Sequence, residues 1–505
     1  MNILNTAQIR AVELDAFAKG MPVAALMEKA GILLAAHITK NFPAQQFGRV
    51  AVLVGPGHNG GDALVVAREL LLSGREVIVW SDFPVRKELN QSHLNWFQSL
   101  GGQIVTQLNN PHFNSCDLFI DGLLGFGVTQ ATKEKIALAI DWLNAKTAPI
   151  VSIDVPSGLC SDTGAPQGST VKATQTLMLS PARLGMFQNE ALAFCGEVID
   201  VNIGLCNNQV ERVLSSEFTN QPRIQKLECE DTLEELLKLK SPNANKYSTG
   251  RALIVAGSKK YPGAAVLAAL ACKNLGAGYT AVDSCPETQN ALLPLAPDIV
   301  FLSEMQKTST SQETNNTHRK FDAILCGCGL DNQFEKLQDC LAANTQTLVL
   351  DADALNMISR SGTFPKTSAQ VVITPHTPEF KRLFPELANI PLATDAALAA
   401  AKKTGAIVVL KGSRTVIATP NNEVFINTQS TAALARAGTG DVLAGMIVSL
   451  AAQGLNALES AKCAVWLHSQ FALLLEHEHS CAGVDALKLA NSISLKLTKL
   501  SKTIK

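Results

Sequence analysis

Two glycine-rich segments hold the groups of this 505-residue chain best suited to chemistry on a phosphorylated ligand. The first, GPGHNGGDA from Gly55, follows an apolar run and precedes a helical pattern. Its glycines let the backbone turn sharply and present free N–H groups at a helix start to an anion. Gly55, Gly57 and Gly60 match G-x-G-x-x-G, and Asp82 closes the next apolar run about where a ribose-binding acid belongs. An NAD-dependent dehydrogenase is therefore one reading, and a ligand-free strand-to-helix turn another. The second segment, AGTGDVLAGM from Ala437 to Met446, again opens a helix. Its free N–H groups and helix dipole face a phosphate, and Asp441 is placed to accept a proton from an attacking hydroxyl. A G-x-G-D turn whose Asp merely caps the helix is the bland alternative. No G-x-x-x-x-G-K-[ST] occurs, which excludes a Walker-type nucleotide site.

Further polar clusters end apolar runs, where α/β sheets bind ligands. DGLLGFG spans Asp121 to Gly127, and SIDVPSGLCSDTG spans Ser152 to Gly164. Asn59, Asp121 and Ser157 offer hard oxygen ligands for one cation. Each alone is more often a cap or turn residue, but three at successive run ends point to a site. In the second half, LVLDADALN (Leu348 to Asn356) and VITPHTPEFKRLF (Val372 to Phe384) end in polar residues that can reach a cleft. VVLKGSRTVI (Val408 to Ile417) adds Lys411, Gly412 and Thr415 for phosphate or ribose. His376 by itself would be a capping residue, and within TPHTPEF it is a candidate substrate contact. The alternating Glu476–His479 run does not share one helical face and is expected to be a solvated helix end rather than a metal site.

The elements that must position these residues alternate. Helical spacing covers Thr6 to Ala18 and Pro22 to Ile38. Short apolar runs from Val50, Glu76, Cys116, Pro149 and Thr174 read as buried parallel strands, with helical segments at Ala63 to Leu72 and Lys133 to Leu143 between them. The pattern fades after Gly204: about 205–245 is polar and mixed, with one short amphipathic helix from Thr232 to Leu239. A second series follows in RALIVAG, GYTAV, FDAILCG, TLVLDAD, VVITP and AIVVLKG, with a surface loop at 311–318. This is an α/β chain, and its length at roughly 100–200 residues per domain calls for two domains, 1–212 and 224–500.

Lys+Arg 43 against Asp+Glu 44 leaves a net charge of −1, so no global polyanion-binding field exists. Hydrophobic residues are 47% and charged residues 17%, the balance of a globular chain with much buried surface. The 12 Cys lie singly apart from Cys326 and Cys328, with no C-x-x-C pair, which predicts a reducing compartment rather than a disulfide or zinc scaffold. The N-terminal stretch lacks a basic region followed by an apolar one, and no apolar run nears the ~20 residues of a membrane span. The expectation is a soluble cytoplasmic protein, compatible with a homo-oligomer, with no membrane and no nucleic-acid partner.

Residues 5–210, through GPGHNGGDA, DGLLGFG and SIDVPSGL, resemble the YjeF N-terminal domain, the epimerase of NAD(P)H hydrates. The resemblance implies nucleotide contacts at His58, Asn59, Gly60, Gly61, Asp62, Gly125, Phe126, Gly127, Val128, Thr129, Gln130, Ala131 and Asp154. It implies a potassium ion on Asn59, Asp121 and Ser157, and Asp154 as the acid/base. His58, Ala63 and Cys160 depart from the residues usual in that family. A scaffold role, known for some eukaryotic relatives, would need clustered Arg/Lys with interleaved aromatics, and these are absent.

Residues 226–495 resemble the YjeF C-terminal domain, the ADP-dependent NAD(P)H-hydrate dehydratase. Together the two resemblances imply a Rossmann-like three-layer domain followed by a ribokinase-like α/β domain. Adenine-nucleotide contacts would fall at Lys411, Gly412, Ser413, Arg414, Thr415 and Gly440, and hydrated-nicotinamide contacts at Ala265, Gly329, His376 and Asp441. ADP is the expected co-substrate, Mg²⁺ the expected counter-ion, and NADHX and NADPHX the expected substrates. The loop STAALARAGTGD from Ser430 lacks the Asn, Pro and two glycines usual before the turn, and Arg436 takes a Ser/Thr position. The enzymatic rival is an ordinary ribokinase-like kinase that transfers phosphate from ATP and stops there.

Overall fold

The computed structural model describes residues 1–84, 86–128, 130–232, 243–302 and 321–503. Contacts divide the chain into Met1–Gln221 and Pro222–Lys505. Most of the expected helix from Thr232 to Leu239, the loop at 311–318, and Thr129 lie outside the described residues.

In the first unit the apolar runs form a seven-stranded, all-parallel sheet. Its strands are β1 (Arg49–Val54), β2 (Glu76–Trp80), β3 (Gln103–Val105), β4 (Leu118–Gly122), β5 (Ile150–Ile153), β6 (Gln175–Leu179) and β7 (Glu197–Val201), in the order β3-β2-β1-β4-β5-β6-β7. That is the doubly wound, Rossmann-like order with the reversal between β1 and β4. Register pairs Val54 with Gly122 and sets Asp121 opposite both Leu53 and Ser152, so three polar turns leave one edge of the sheet together.

Helices Thr6–Ala18 and Val23–Asn41 cover this sheet. Asn5 and Gln8 form a reciprocal capping box for the first, and Pro22, having no N–H to place inside a helix, precedes the second. The helix expected from Ala63 starts earlier, at His58, so two thirds of the glycine-rich segment is helical. A Cβ on Gly60 would lie 2.0 Å from Gly55 O, and one on Gly61 2.6 Å from Met27 Sδ. Two-residue strands Ile3–Leu4 and Ala182–Arg183 pair in parallel at the start of the chain.

The stretch 205–245, read as polar and mixed with one short helix from Thr232, also contains helix Asn207–Glu217 and a strand. The helix is short and mostly polar, and only Val210, Val213 and Leu214 bury one face.

The second unit is built on ten described strands: β8 (Arg223–Lys226), β9 (Arg251–Val255), β10 (Tyr279–Asp283), β11 (Val300–Phe301), β12 (Ala323–Cys326), β13 (Thr347–Leu350), β14 (Gln370–Ile373), β15 (Ile407–Leu410), β16 (Val416–Ala418) and β17 (Glu423–Ile426). Their order is β8-β17-β16-β15-β14-β13-β12-β9-β10-β11, parallel except at β15–β16 and β16–β17. Helix Thr439–Ala452 is apolar nearly all round and is buried against helix Pro262–Leu275. The two approach closely because residue 445 is glycine: a Cβ there would lie 2.2 Å from Ala268 O. Ser449 Oγ donates to Cys272 O at 2.8 Å and locks the pair. No single helix among the described residues is long and apolar enough to cross a membrane.

Gly445→Ala should push these helices apart and destabilise Pro222–Lys505 by about 1–3 kcal/mol, as overpacking does. Urea unfolding of the full chain measures it, and an unchanged midpoint would contradict the close approach.

Candidate functional site

The glycine-rich turn after β1 opens helix His58–Leu72 onto a cavity of about 500 Å³ in the first unit. His58, Asn59, Asp62, Gly125, Phe126 and Asp154 line it, together with apolar Leu26, Met27, Leu179 and Ile203. Gly60 and Gly61 instead face inward, where they permit the packing described above. Gly127 has φ +102 and lies against Arg10, while Val128 is half-buried and Gln130 and Ala131 are exposed. Asn90 Nδ2 bridges the carbonyls of Gly55 and Gly57 at 2.9 Å each and fixes the turn from behind.

Asp154 is fully enclosed, at a backbone φ of +66 that a non-glycine residue adopts only when its surroundings hold it. Arg183 is the restraint: its guanidinium pairs with Asp154 Oδ1 at 2.9 Å, donates to Pro181 O at 2.6 Å, and lies 4.9 Å over the Phe126 ring. Among the described residues no cation pairs with Asp62 in this way. Burial, with the nearby charges of Asp154 and Glu13, pushes its carboxyl well above the ordinary range despite Arg183. Glu13, from the first helix, is raised mainly by burial. Burial and then Lys87 hold the His58 imidazole below its usual value. Sequence reading did not find Arg10, Glu13 or Arg183; each reaches the cavity from an element with no glycine-rich turn to mark it.

Asp121 lies under the turn with no exposed surface. It accepts four hydrogen bonds: Ser152 Oγ at 2.8 Å, Ser157 N at 2.9 Å, Ser157 Oγ at 2.5 Å and Leu123 N at 3.2 Å. Burial still raises its carboxyl, with those donors opposing. Asn59 Nδ2 donates to Leu124 O at 2.9 Å, and Ser157 Oγ lies 3.2 Å from the same carbonyl. Asn59 and Ser157 thus meet at Leu124 O while Asp121 is bonded to Ser157, and the donor set is all hard oxygen, which fits a potassium ion.

Asp82 does not serve the glycine turn. It pairs with Lys135 at 2.7 Å and lines a separate recess of about 350 Å³ beside Trp80 and Leu138. The G-x-G-x-x-G dehydrogenase arrangement is therefore not formed, because the acid after β2 points into a different hollow.

In the second unit, Gly438 at φ +90 opens helix Thr439–Ala452 and puts Asp441 in its first turn. Lys411 begins the β15–β16 turn, and its Nζ would lie 3.3 Å from a Cβ on Gly440. The ammonium bonds to Asp351 Oδ1 at 2.8 Å, which also accepts from Thr374 Oγ1 at 2.7 Å. Burial disfavours the Lys411 charge, yet Asp351 and Glu379 outweigh it and raise its value. Asp441 is pushed up to about 6, by burial and by the charge of Asp351, against the opposing effects of Cys328 and Lys411. Cys328, Asp351 and Asp441 bring ligand atoms within 4.8 Å of one another, a spacing a metal could bridge, and Asp351 is already paired with the Lys411 ammonium.

His376 caps helix Thr377–Leu383 through Nδ1, which accepts from Glu379 N at 3.0 Å, while its half-exposed ring borders the strand end that bridges to Lys411. Gly412 and Ser413 are exposed, and Thr415 Oγ1 closes the turn onto Gly412 O at 3.2 Å. Arg414 is half-buried in the same turn. Gly329, at φ +60, abuts Tyr261, whereas Ala265 is wholly buried and can only underlie a ligand. Arg436 donates to Ala482 O at 3.0 Å beside the phosphate turn. The Glu476–His479 run ends its helix with Glu478 bonded to Lys496 and Lys499.

Residues 252–495 match the family described as NAD(P)H-hydrate dehydratase, and residues 23–185 match the family described as YjeF-related protein N-terminus. A bifunctional NAD(P)H-hydrate repair enzyme of Gloeobacter violaceus is 42% identical over 97% of this chain and 96% of its own length. Another, of Thermosynechococcus vestitus, is 38% identical over 95% of this chain and 94% of its own. A ribokinase-like superfamily protein of Enterococcus faecalis superposes with a TM-score of 0.50 at 28% identity, covering 55% of this chain and 96% of that one.

Arg183→Met should leave Asp154 buried without its cation and cost about 3–5 kcal/mol in the first unit. The double variant with Asp154→Asn should cost less, and equal losses in urea unfolding would sink the pairing. His468, whose Nε2 meets Thr439 O at 3.0 Å, is held down to about 4 by burial against an ordinary 6.5. Between those values the unfolded chain takes a proton that the native chain refuses, so the second unit should lose stability as pH falls from 6.5 to 4. His468→Gln should flatten that slope.

Proposed function

The chain belongs to the family of bifunctional NAD(P)H-hydrate repair enzymes, and we infer that it acts as one of them. It is an epimerase of NAD(P)H hydrates joined to an ADP/ATP-dependent NAD(P)H-hydrate dehydratase. We assign epimerisation to Met1–Gln221 and dehydration of the S epimer to Pro222–Lys505, with NADH or NADPH, AMP and phosphate as products. Its partners are these small molecules rather than nucleic acid. We place it in the cytoplasm, a reducing compartment that suits 12 cysteines with no C-x-x-C pair.

The observation that carries the dehydratase reading is Asp441, raised to about 6 in the first turn of a helix whose free N–H groups adjoin the Lys411 ammonium. The hydrate carries a hydroxyl on a saturated ring carbon, and hydroxide leaves poorly. Asp441 takes the hydroxyl proton as that oxygen attacks the β-phosphorus of ADP and the bond to AMP breaks. The N–H groups of the Gly438–Gly440 turn, with Lys411, stabilise the charge that develops on the phosphoryl oxygens. Phosphate then leaves as a ring proton is lost, and the double bond is restored. Lys411, Gly412, Ser413, Arg414, Thr415 and Gly440 would hold the nucleotide, and Gly329, His376 and Asp441 the hydrated ring above Ala265. Mg²⁺ carried on the phosphate oxygens would offset their charge.

In the first unit Asp154, oriented by Arg183, moves the proton at the hydrated carbon. His58, Asn59 and Asp62, with the loop from Gly125 to Ala131, would hold the nucleotide, and Gly60 and Gly61 let the turn that carries them pack. Asn59, Asp121 and Ser157 would hold potassium, which supplies positive charge beside the substrate's phosphates.

A mixed-epimer NADPH hydrate should regain its reduced-nicotinamide absorbance in full with ADP and enzyme. Asp441→Asn should slow recovery by about 10²–10⁴-fold while leaving epimerisation intact. Asp154→Asn should stall recovery at the S fraction. Dehydration should rise through pH 6 and level off above it, since Asp441 must be ionised to accept the proton. No recovery with either ADP or ATP would return the chain to the kinase or scaffold readings.

A further inference from the structure

We propose that Asp62 is a second catalytic residue of the first unit, which gives a proton to the ring nitrogen of the hydrate while Asp154 takes one from its hydroxyl. The inference deepens the epimerase reading and rests on it. Asp62 and Asp154 line one cavity of about 500 Å³, with Arg10, Glu13, His58 and Arg183 as its other charged or titratable groups. Helix Val23–Asn41 and the segment from Leu123 to Phe126 lend it no charged side chain. Packing on both sides aims Asp62 into this space. Gly61 before it is seated on Met27, and a Cβ on Gly122 would lie 2.3 Å from the Cβ of Ala63 after it. Asp62 O would lie 3.2 Å from a Cβ on Gly31. The backbone there cannot turn without driving a neighbour into the sheet or into helix Val23–Asn41.

The two carboxylates have different partners. Arg183 pairs with Asp154 Oδ1 at 2.9 Å, which suits a group that accepts a proton. Asp62 receives no hydrogen bond and no ion pair among the described residues. A carboxyl enclosed beside two others, with no cation of its own, is more stable with its proton on. Burial, then Asp154 and Glu13, raise its value accordingly, with Arg183 opposing. Glu13 lies one helical turn from Arg10, and both arginines favour its charge. Inversion needs one group of each kind. Water adds to the ring's enamine double bond with its oxygen on the carbon bonded to nitrogen, so the hydrated carbon is a hemiaminal. Asp154 takes the hydroxyl proton, the C–O bond becomes a carbonyl, and the C–N electron pair goes to the ring nitrogen, which takes the Asp62 proton. The open-chain aldehyde then turns its other face to the nitrogen. The C–N bond re-forms, the nitrogen's proton returns to Asp62, and the oxygen regains its proton from Asp154. Both residues end as they began, with no further reactant.

The test follows inversion of one purified epimer by the full chain without ADP, as a function of pH, in the parent and in Asp62→Asn, Asp62→Glu and Glu13→Gln. The parent rate should fall as pH rises through the raised Asp62 value, because only the protonated form donates. Asp62→Asn should lower kcat by about 10²–10⁴-fold and abolish that alkaline fall. Asp62→Glu, which restores a donor, should regain part of both. Glu13→Gln should keep the alkaline fall but move it to lower pH, since one negative charge beside Asp62 is gone. Inversion in heavy-oxygen water should leave the hydroxyl oxygen unlabelled, because it never leaves the carbon. A rise in KM for Asp62→Asn, with kcat and the pH curve unchanged, overturns the inference and marks a residue that only holds the ligand. So does an alkaline fall lost in Glu13→Gln and kept in Asp62→Asn, or one solvent oxygen gained per inversion. A parent that does not invert the hydrate, or Asp154→Asn inverting it at the full rate, would instead overturn the epimerase reading beneath it.

Discussion

A parallel strand cannot return to its neighbour through a tight turn; it must cross over, usually by a helix, and so every strand in a parallel sheet points its C-terminal end to the same edge. Both units of this chain are governed by that constraint. In the first, β1, β4 and β5 deliver the GPGHNGG, DGLLGFG and DVPSG segments to one edge, and the register brings Asp121 beside Ser152. In the second, β12, β13 and β14 deliver Cys328, Asp351 and the His376 turn to one edge, where helix Thr439–Ala452 begins. In the first unit the crossover helix His58–Leu72 also supplies the N-terminus that faces an anion, whereas in the second the helix that does so, Thr439–Ala452, follows the last strand.

What distinguishes the residues at those edges is how each buried carboxylate is compensated. Asp121 has four hydrogen-bond donors, Asp154 an arginine, and Asp351 a lysine with a hydroxyl. Asp62 and Asp441 are left with less, and burial drives both upward. A buried carboxylate with fewer donors or cations to compensate it holds its proton to higher pH than usual. Each unit therefore pairs a compensated carboxylate with a less compensated one.

Several parts of this arrangement were legible in the chain itself. The apolar runs from Val50, Glu76, Cys116, Pro149 and Thr174 became parallel strands, because continuous apolar stretches of that length bury on both faces. Helix Thr6–Ala18 has the bounds its periodicity gives, since Asn5 and Gln8 cap it locally. Other parts were not legible. Helix Asn207–Glu217 buries too few residues to announce a period, and the antiparallel hairpin β16–β17 interrupts an otherwise parallel pattern with strands of three and four residues. Asp82 stands at the spacing expected of a ribose-binding acid yet turns to Lys135, because spacing along the chain says nothing about which side of a loop faces the glycine turn.

Residue type and local spacing alone determined the α/β class, the two glycine-rich turns, and Asn59, Asp121, Ser157 and Asp441 as the groups to watch. All of these depend on interactions within a few residues, which a sequence displays directly. Only the tertiary structure decided that Arg183 restrains Asp154, that Glu13 enters the same cavity from the first helix, and that the Cys328 thiol and Lys411 ammonium meet Asp351 and Asp441 in one cluster. Those partners come from strands and helices far apart in the chain. Their identity follows from register and packing, which no local pattern encodes.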